Sequence, residues 1–260
     1  MKRSSKVIIV FPAYFAEKTL SKTIAAIPKE CVDAMILVDD GSTDGTYELA
    51  QKLGLIVHRH ERNRGYGGNQ KTCYRLALEH GADIVIMVHP DFQYDPAMVR
   101  YLVEFIDRGY FDLMLGTRIR TRREALQGGM PRYKYFANRI LTFIENIISG
   151  QNLSEWHTGM RAYRREVLET IAFERFSDDF VFDTQFLFAA VQQGYRIGEI
   201  PVPVRYFAEA SMIDFRRSMQ YGIASLAVAG GFLWQKMLGR VKYRDFPDRE
   251  HENLRSGSAG

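Results

Sequence analysis

Short apolar runs that alternate with helix-spaced segments constrain the fold of this chain more than any other feature. The runs are residues 7–11, closed by Pro12; 35–38, ending at Asp39; 55–58; 84–88, ending at His89; and 113–116. Between them, apolar spacing predicts helices over residues 20–27, 43–53, 69–80 and 97–108. Fully apolar strands alternating with helices belong to an α/β architecture, a mostly parallel sheet covered on both faces. Ligands of such sheets bind beyond the carboxyl ends of the strands. The polar residues that follow each run are therefore the first candidates for function.

The second half is less regular. Residues 121–132 are rich in Arg and Gly and predict a loop. Residues 133–148 carry a helical pattern stopped by Gly150, 159–163 a strand, and 180–193 a helix stopped by Gly194. Residues 196–204 are extended, and their two prolines predict a sheet edge. A long helix is expected over 213–238, weakened by Gly222, Gly230 and Gly231. The resulting organisation is one domain over 1–212, a C-terminal amphipathic helix over 213–239, and a charged, disordered tail over 240–260.

Composition narrows the class. A hydrophobic share of 46% over 260 residues is ordinary for a soluble globular protein. Cys31 and Cys73 lie far apart without metal-type spacing, which fits a reducing cytoplasm. The basic N-terminus is followed by only five apolar residues before Pro12, too few for a signal-peptide core. Net charge is +4, but residues 118–139 hold seven basic residues against one acidic, and 214–245 hold six against two. Such patches suit phosphate groups or an anionic membrane surface, or form a solvated face. No recognition motif accompanies them, which argues against nucleic acid. The apolar stretch 221–234 falls short of the ~20 residues needed to span a bilayer. It suits the membrane interface, packing on the domain, or a homodimer contact.

The sharpest motif is Val38-Asp39-Asp40-Gly41-Ser42-Thr43-Asp44-Gly45-Thr46, between a buried strand and a helix. Adjacent carboxylates at a strand end are costly unless they face hydrogen-bond donors or a cation. One acid suffices for a capped turn; a second pointing into the cleft suits a base or a ribose hydroxyl. Residues 63–69 are glycine-rich and precede a helix, so their N–H groups could cradle phosphate, although the segment matches neither the P-loop nor the Rossmann spacing.

Several segments occur together in order: Phe11-Pro12-Ala13-Tyr14, the Asp-Asp-Gly-Ser-Thr-Asp turn, residues 63–69, His89-Pro90-Asp91-Phe92-Gln93, Gly116-Thr117-Arg118, and Thr158-Gly159-Met160-Arg161. In this combination, over roughly residues 6–217, the chain resembles the family-two glycosyltransferases, above all the dolichol-phosphate and undecaprenyl-phosphate sugar synthases. The resemblance implies a Rossmann-like GT-A fold and inverting transfer from a UDP- or GDP-linked sugar. It implies that Pro12, Tyr14, Val38 and Asp40 line the nucleotide pocket, with Gly65 allowing close approach to the donor. The usual Asn-Glu after the tyrosine is Phe15-Ala16 here, so Glu17 is expected to supply the carboxylate.

The same resemblance places a metal motif at residues 89–93, with His89 where an aspartate is usual. Asp91 is the leading ligand for Mg²⁺ or Mn²⁺, with Gln93 and His89 as weaker ones; His89 equally suits a hydrogen-bonded wall. Arg118 is expected near the leaving diphosphate. Glu155 occupies a position where the phosphate-acceptor branch carries an acid. A hydroxyl acceptor needs a general base, for which Asp178 and Asp179 are candidates, unless they cap the helix that follows. A lipid phosphate needs cations instead, which Arg132, Arg205 and Arg216 offer. Departures at residues 15–16 and 89 also raise a binding protein without turnover, and the C-terminal helix a membrane-bound scaffold.

Overall fold

The strand Val7–Ala13 (β1) is buried along its whole length, which requires cover on both faces. In the computed structural model, which describes residues 4–118, 121, 123, 130–204 and 215–241, β1 is central to a seven-stranded sheet. The other strands are β2 (Ala34–Asp39), β3 (Ile56–Arg59), β4 (Ile84–Met87), β5 (Leu113–Thr117), β6 (Met160–Arg164) and β7 (Ile197–Pro201). Their spatial order is β3-β2-β1-β4-β6-β5-β7. The β1–β2, β1–β4, β2–β3 and β5–β7 pairs are parallel, and β6 runs antiparallel to both neighbours. The last extended segment does form an edge strand, β7, as its prolines predict.

The helices are α1 (Glu17–Ala26), α2 (Thr46–Lys52), α3 (Tyr66–Glu79), α4 (Val99–Asp107), α5 (Arg132–Ser149), α6 (Arg165–Thr170), α7 (Phe182–Gln192) and α8 (Phe215–Met237). Alternate residues of β1 divide the core. Ile8 and Val10 face a layer that includes Tyr74 of α3, Phe182 and Phe186 of α7, and Phe232 of α8. Val7, Ile9 and Phe11 face Leu20 of α1 and Leu102 and Ile106 of α4. This is the period-two alternation of a strand buried on both sides.

Three boundaries differ from the sequence reading for physical reasons. Strand β1 runs through Pro12 rather than stopping before it, paired to Val38. Its pairing with β4 ends at Val10, so the missing N–H of Pro12 breaks no ladder there. Helix α2 starts at Thr46, because Asp44 accepts from the Thr46 N–H and the preceding residues form the turn. Helix α3 starts at Tyr66, ahead of its expected start, and includes Gly67 and Gly68. The short helix α6 was not foreseen.

Gly67 is required by a close approach. Its N–H donates to the Asp178 carbonyl at 2.7 Å, and an added Cβ would lie 2.4 Å from the Ser177 carbonyl oxygen. Gly67→Ala therefore forces the 177–178 backbone away from α3. We expect a loss of about 1–3 kcal/mol in unfolding free energy by urea titration, the range for overpacking a tight contact. An unchanged midpoint would show that this junction yields freely.

Candidate active site

At the carboxyl end of β2 both carboxylates are buried, and both are occupied by the protein. Asp39 Oδ1 accepts from the Ser42 N–H at 3.1 Å, and Oδ2 lies 3.2 Å from Arg59 Nε. Asp40 Oδ1 meets His60 Nδ1 at 2.7 Å and the Arg64 N–H at 2.8 Å; Oδ2 accepts from the Gly65 N–H at 3.1 Å. The glycine-rich loop thus cradles an anion, but the anion is Asp40. The Gly67 and Gly68 N–H groups go to the Asp178 carbonyl. These amides are engaged within the protein rather than presented as the phosphate cradle that the sequence suggested, and Asp40 holds those of Arg64 and Gly65.

The first loop is clamped to this turn. Ser42 Oγ accepts from the Phe15 N–H, Thr46 Oγ1 from the Ala16 N–H, and Glu17 Oε2 from the Gly45 N–H at 3.1 Å. Phe15 takes a left-handed conformation with φ 55°, which turns Tyr14 outward to 53% exposure. Pro12 and Val38 are buried beneath. A cavity of about 400 Å³ opens beside the turn, lined by Gly41, Ser42, Thr43, Arg59, His60 and Glu61. A larger one of about 550 Å³ lies at the opposite end of the sheet, beside Asp83 and Asp107, away from every motif residue. The strand-end position favours the smaller cavity as the ligand site.

At the end of β4, Asp91 Oδ1 accepts from the Gln93 N–H at 2.9 Å, and Phe92 between them has φ 57°. The other Asp91 oxygen joins no hydrogen bond among the described residues. His89 Nε2 lies 3.2 Å from the Tyr66 hydroxyl, which itself donates to Asp183 at 2.8 Å. The one phenolic proton is therefore committed to Asp183, so His89 must carry its proton on Nε2 and keep a lone pair on Nδ1. Burial holds the His89 imidazole below its ordinary pKa, against the pull of the Asp91 charge, and so favours the neutral ring. Gly159 makes room for it: a Cβ there would stand 2.7 Å from His89 Cδ2.

Among the described residues, no three His, Cys, Asp or Glu side chains form a ligand cluster. That donor set still fits a metal brought in with a diphosphate. Mg²⁺ is commonly held by one or two carboxylates plus substrate phosphates rather than by an all-protein cage. Asp91, flanked by Gln93 and a neutral His89, could supply that share.

Beneath these loops lies a hub that sequence reasoning underweighted. Arg161 is fully buried; Nε donates to the Thr158 carbonyl at 2.8 Å, and Nη2 lies 3.3 Å from Asp183 Oδ2. Gln70 and Tyr66 complete the Asp183 contacts. Only the buried position of Asp183 on α7 separates it from its neighbours Asp178 and Asp179, and no spacing rule reveals that. Asp178 is exposed and paired with Lys71 at 2.7 Å. Asp179 accepts from the Phe180 N–H ahead of α7. Arg118 Nε donates to the buried Glu155 at 2.9 Å, and Nη2 to the His157 carbonyl at 2.6 Å. Asn138 of α5 also donates to Glu155. Glu155 is thus a partner of Arg118 rather than an open contact for an acceptor. Arg132 and Arg216 are exposed on α5 and α8, and Arg205 lies outside the described residues.

Comparison with known proteins identifies the family of this chain. The profile of Glycosyl transferase family 2 matches residues 8–172, more than half of the chain. The chain belongs to this family. As a glycosyltransferase it is 31% identical over 201 residues to a Methanocaldococcus jannaschii protein named Uncharacterized protein MJ1222, covering 77% of this chain and 82% of that one. It is 26% identical over 217 residues to UDP-N-acetylglucosamine--dolichyl-phosphate N-acetylglucosaminyltransferase of Methanococcus voltae, covering 77% and 86%. Glucosyl-3-phosphoglycerate synthase from Mycobacterium tuberculosis, solved with uridine diphosphate, superimposes with a TM-score of 0.68 at 20% identity over 94% of this chain and 83% of that one. That likeness establishes the GT-A fold of this glycosyltransferase.

Two outcomes follow from the hub. Asp183→Ala leaves the Arg161 guanidinium buried without its counter-charge, and we expect about 3–5 kcal/mol lost from the unfolding free energy; a loss under about 1 kcal/mol would mean that Arg161 finds another partner. The folded pKa of His89 is lowered from 6.5, so the unfolded chain takes up that proton first as pH falls. Its contribution to stability is present above the unfolded value and is lost as pH falls toward the folded one. A ¹⁵N NMR titration of the His89 ring should show a midpoint below 6.5, and a midpoint at or above it would contradict this environment.

Proposed function

We propose that this glycosyltransferase moves a sugar from a nucleoside diphosphate sugar, UDP- or GDP-linked, to a polyprenyl-type lipid phosphate, with inversion at the sugar carbon. The observation that carries the choice of acceptor is the state of the acidic residues on the acceptor side. Asp178 is tied to Lys71, Asp179 to a backbone N–H, and Asp183 to Arg161 and Tyr66. An alcohol needs a base to remove its proton, whereas a phosphate arrives as an anion and needs none. An acceptor side on which Asp178, Asp179 and Asp183 are each engaged favours the phosphate. The name of the dolichyl-phosphate relative supports the same substrate class.

In this reading the acceptor phosphate oxygen attacks the anomeric carbon as the bond to the diphosphate breaks, and the nucleoside diphosphate departs with the electron pair. Tyr14 and the 41–43 turn hold the nucleoside, with Pro12, Val38, Asp40 and Gly65 fixing the wall and Glu17 clamping the first loop. Asp91, Gln93 and His89 would hold a divalent ion, Mg²⁺ or Mn²⁺, whose charge would stabilise the leaving diphosphate. Arg118 borders the same space, where a diphosphate would compete with Glu155 for its guanidinium. Exposed Arg132 and Arg216 suit an anionic acceptor. We place the reaction at the cytoplasmic face of a membrane, in keeping with the buried thiol of Cys73 and with a lipid substrate.

Calorimetric titration with UDP and GDP, each with and without Mn²⁺ or Mg²⁺, tests the donor site. One nucleotide should bind in a metal-dependent manner, and Asp91→Ala should lose that metal dependence and transfer activity while keeping its fold. Full activity in Asp91→Ala would remove it from the metal site. Transfer to a saccharide hydroxyl, with none to a polyprenyl phosphate, would overturn the proposed acceptor.

A further inference from the structure

Helix α5 is built inside out. Its buried residues include Asn138, Thr142, Glu145 and Ser149, a polar stripe that faces the protein. Four of its apolar residues face solvent: Phe136 is 53% exposed, Ile140 60%, Phe143 64% and Ile147 64%. These recur at intervals of three and four, so they form one stripe along the helix. Helix α8 packs beside α5 and carries a second exposed stripe, which includes Ile223 at 64% and Trp234 at 60%. At 18 and 23 residues, the two helices run about 27 Å and about 35 Å. Two adjacent apolar stripes of that length exceed the scattered exposure of an ordinary monomer surface.

Charge decides what covers this face. Arg132 opens α5; Arg216 lies three residues before the stripe residue Met219, and Arg240 three after Met237, and all three arginines are exposed. Helix α8 has no acidic residue, and the one acid of α5, Glu145, is fully buried. A second copy docked face to face across a two-fold axis would set arginines against arginines with no carboxylate on either helix to meet them. Anionic headgroups would complement them, with the apolar stripes entering the acyl boundary. No described helix is long and apolar enough to cross a bilayer, so the contact is interfacial.

We propose that the exposed faces of α5 and α8 form one docking surface for an anionic lipid bilayer, with α5 as an equal part of it. The polar underside of α5 reaches the transfer site: Asn138 donates to Glu155, the partner of Arg118, and Glu145 lies 3.1 Å from His157. Docking would therefore hold the acceptor end of the site against the lipid surface. This rests on the proposed lipid-phosphate acceptor, but its test uses no acceptor at all.

The experiment is cosedimentation of the full chain with phosphatidylcholine vesicles with and without phosphatidylglycerol. It is run for the wild type, for Ile140→Glu with Phe143→Glu, and for Ile223→Glu, each checked for an unchanged melting temperature. The wild type should bind the phosphatidylglycerol vesicles, and both variants should bind about ten-fold more weakly or worse. Absence of wild-type binding would overturn the proposal, as would an α5 variant that binds like the wild type. So would light scattering that shows a dimer made monomeric by the α5 changes, which would assign the face to a second copy. Metal-dependent nucleotide titration separates the two readings: a wild type that binds nucleotide but no vesicles sinks the docking surface and leaves the donor site standing, whereas variants that lose only vesicle binding support it.

Discussion

A guanidinium buried to zero exposure at the start of β6 organises the site end of this molecule. Burial opposes the charge of Arg161 most strongly, and the Asp183 carboxylate outweighs it only together with Tyr163, Tyr66 and Tyr74. The charge is tolerable only because its donors are satisfied by the Thr158, Trp156 and Asp183 carbonyls and its counter-charge sits on α7. Those contacts fix β6, the 156–158 loop and α7 relative to one another. Through Tyr66 they extend to α3 and to His89 at the end of β4. Tyr66, His89 and the 156–158 loop are therefore tied to one buried ion pair.

The other half of the site depends on a second buried anion. Asp40 holds the Arg64 and Gly65 amides and His60, so the glycine-rich loop is shaped from inside the protein. That loop leads into α3, whose first turn accommodates the 177–178 backbone only because Gly67 lacks a Cβ. One continuous chain of contacts thus runs from β2 through α3 to α7. A change at either end is expected to be felt at the other, because packed polar networks do not deform one bond at a time.

Helix α5 links this interior to the outside. Its polar face completes the Glu155 and His157 environment, while its apolar face has no protein cover among the described residues. A helix of ordinary amphipathicity would do the reverse. The polar face follows from the position of α5 over the buried Glu155 and His157.

Much of the fold was legible in the sequence. The apolar runs that became β1, β2, β4 and β5 are buried on both faces over most of their length. The ordered motifs placed the family, and the Asp39–Asp40 turn and Asp91 stand after β2 and β4, at the strand ends where such a sheet binds its ligands. The edge position of β7 was announced by its prolines. What the sequence left open was decided by contacts between distant segments. Glu155 and Arg118 are 37 residues apart, and Asp183 and Tyr66 are 117 apart. The exposed charge at Asp178 and the buried one at Asp183 belong to the same run of acids. Local pattern tells which residues can carry charge, but burial and partner choice depend on which backbones meet, and only the tertiary structure determines that.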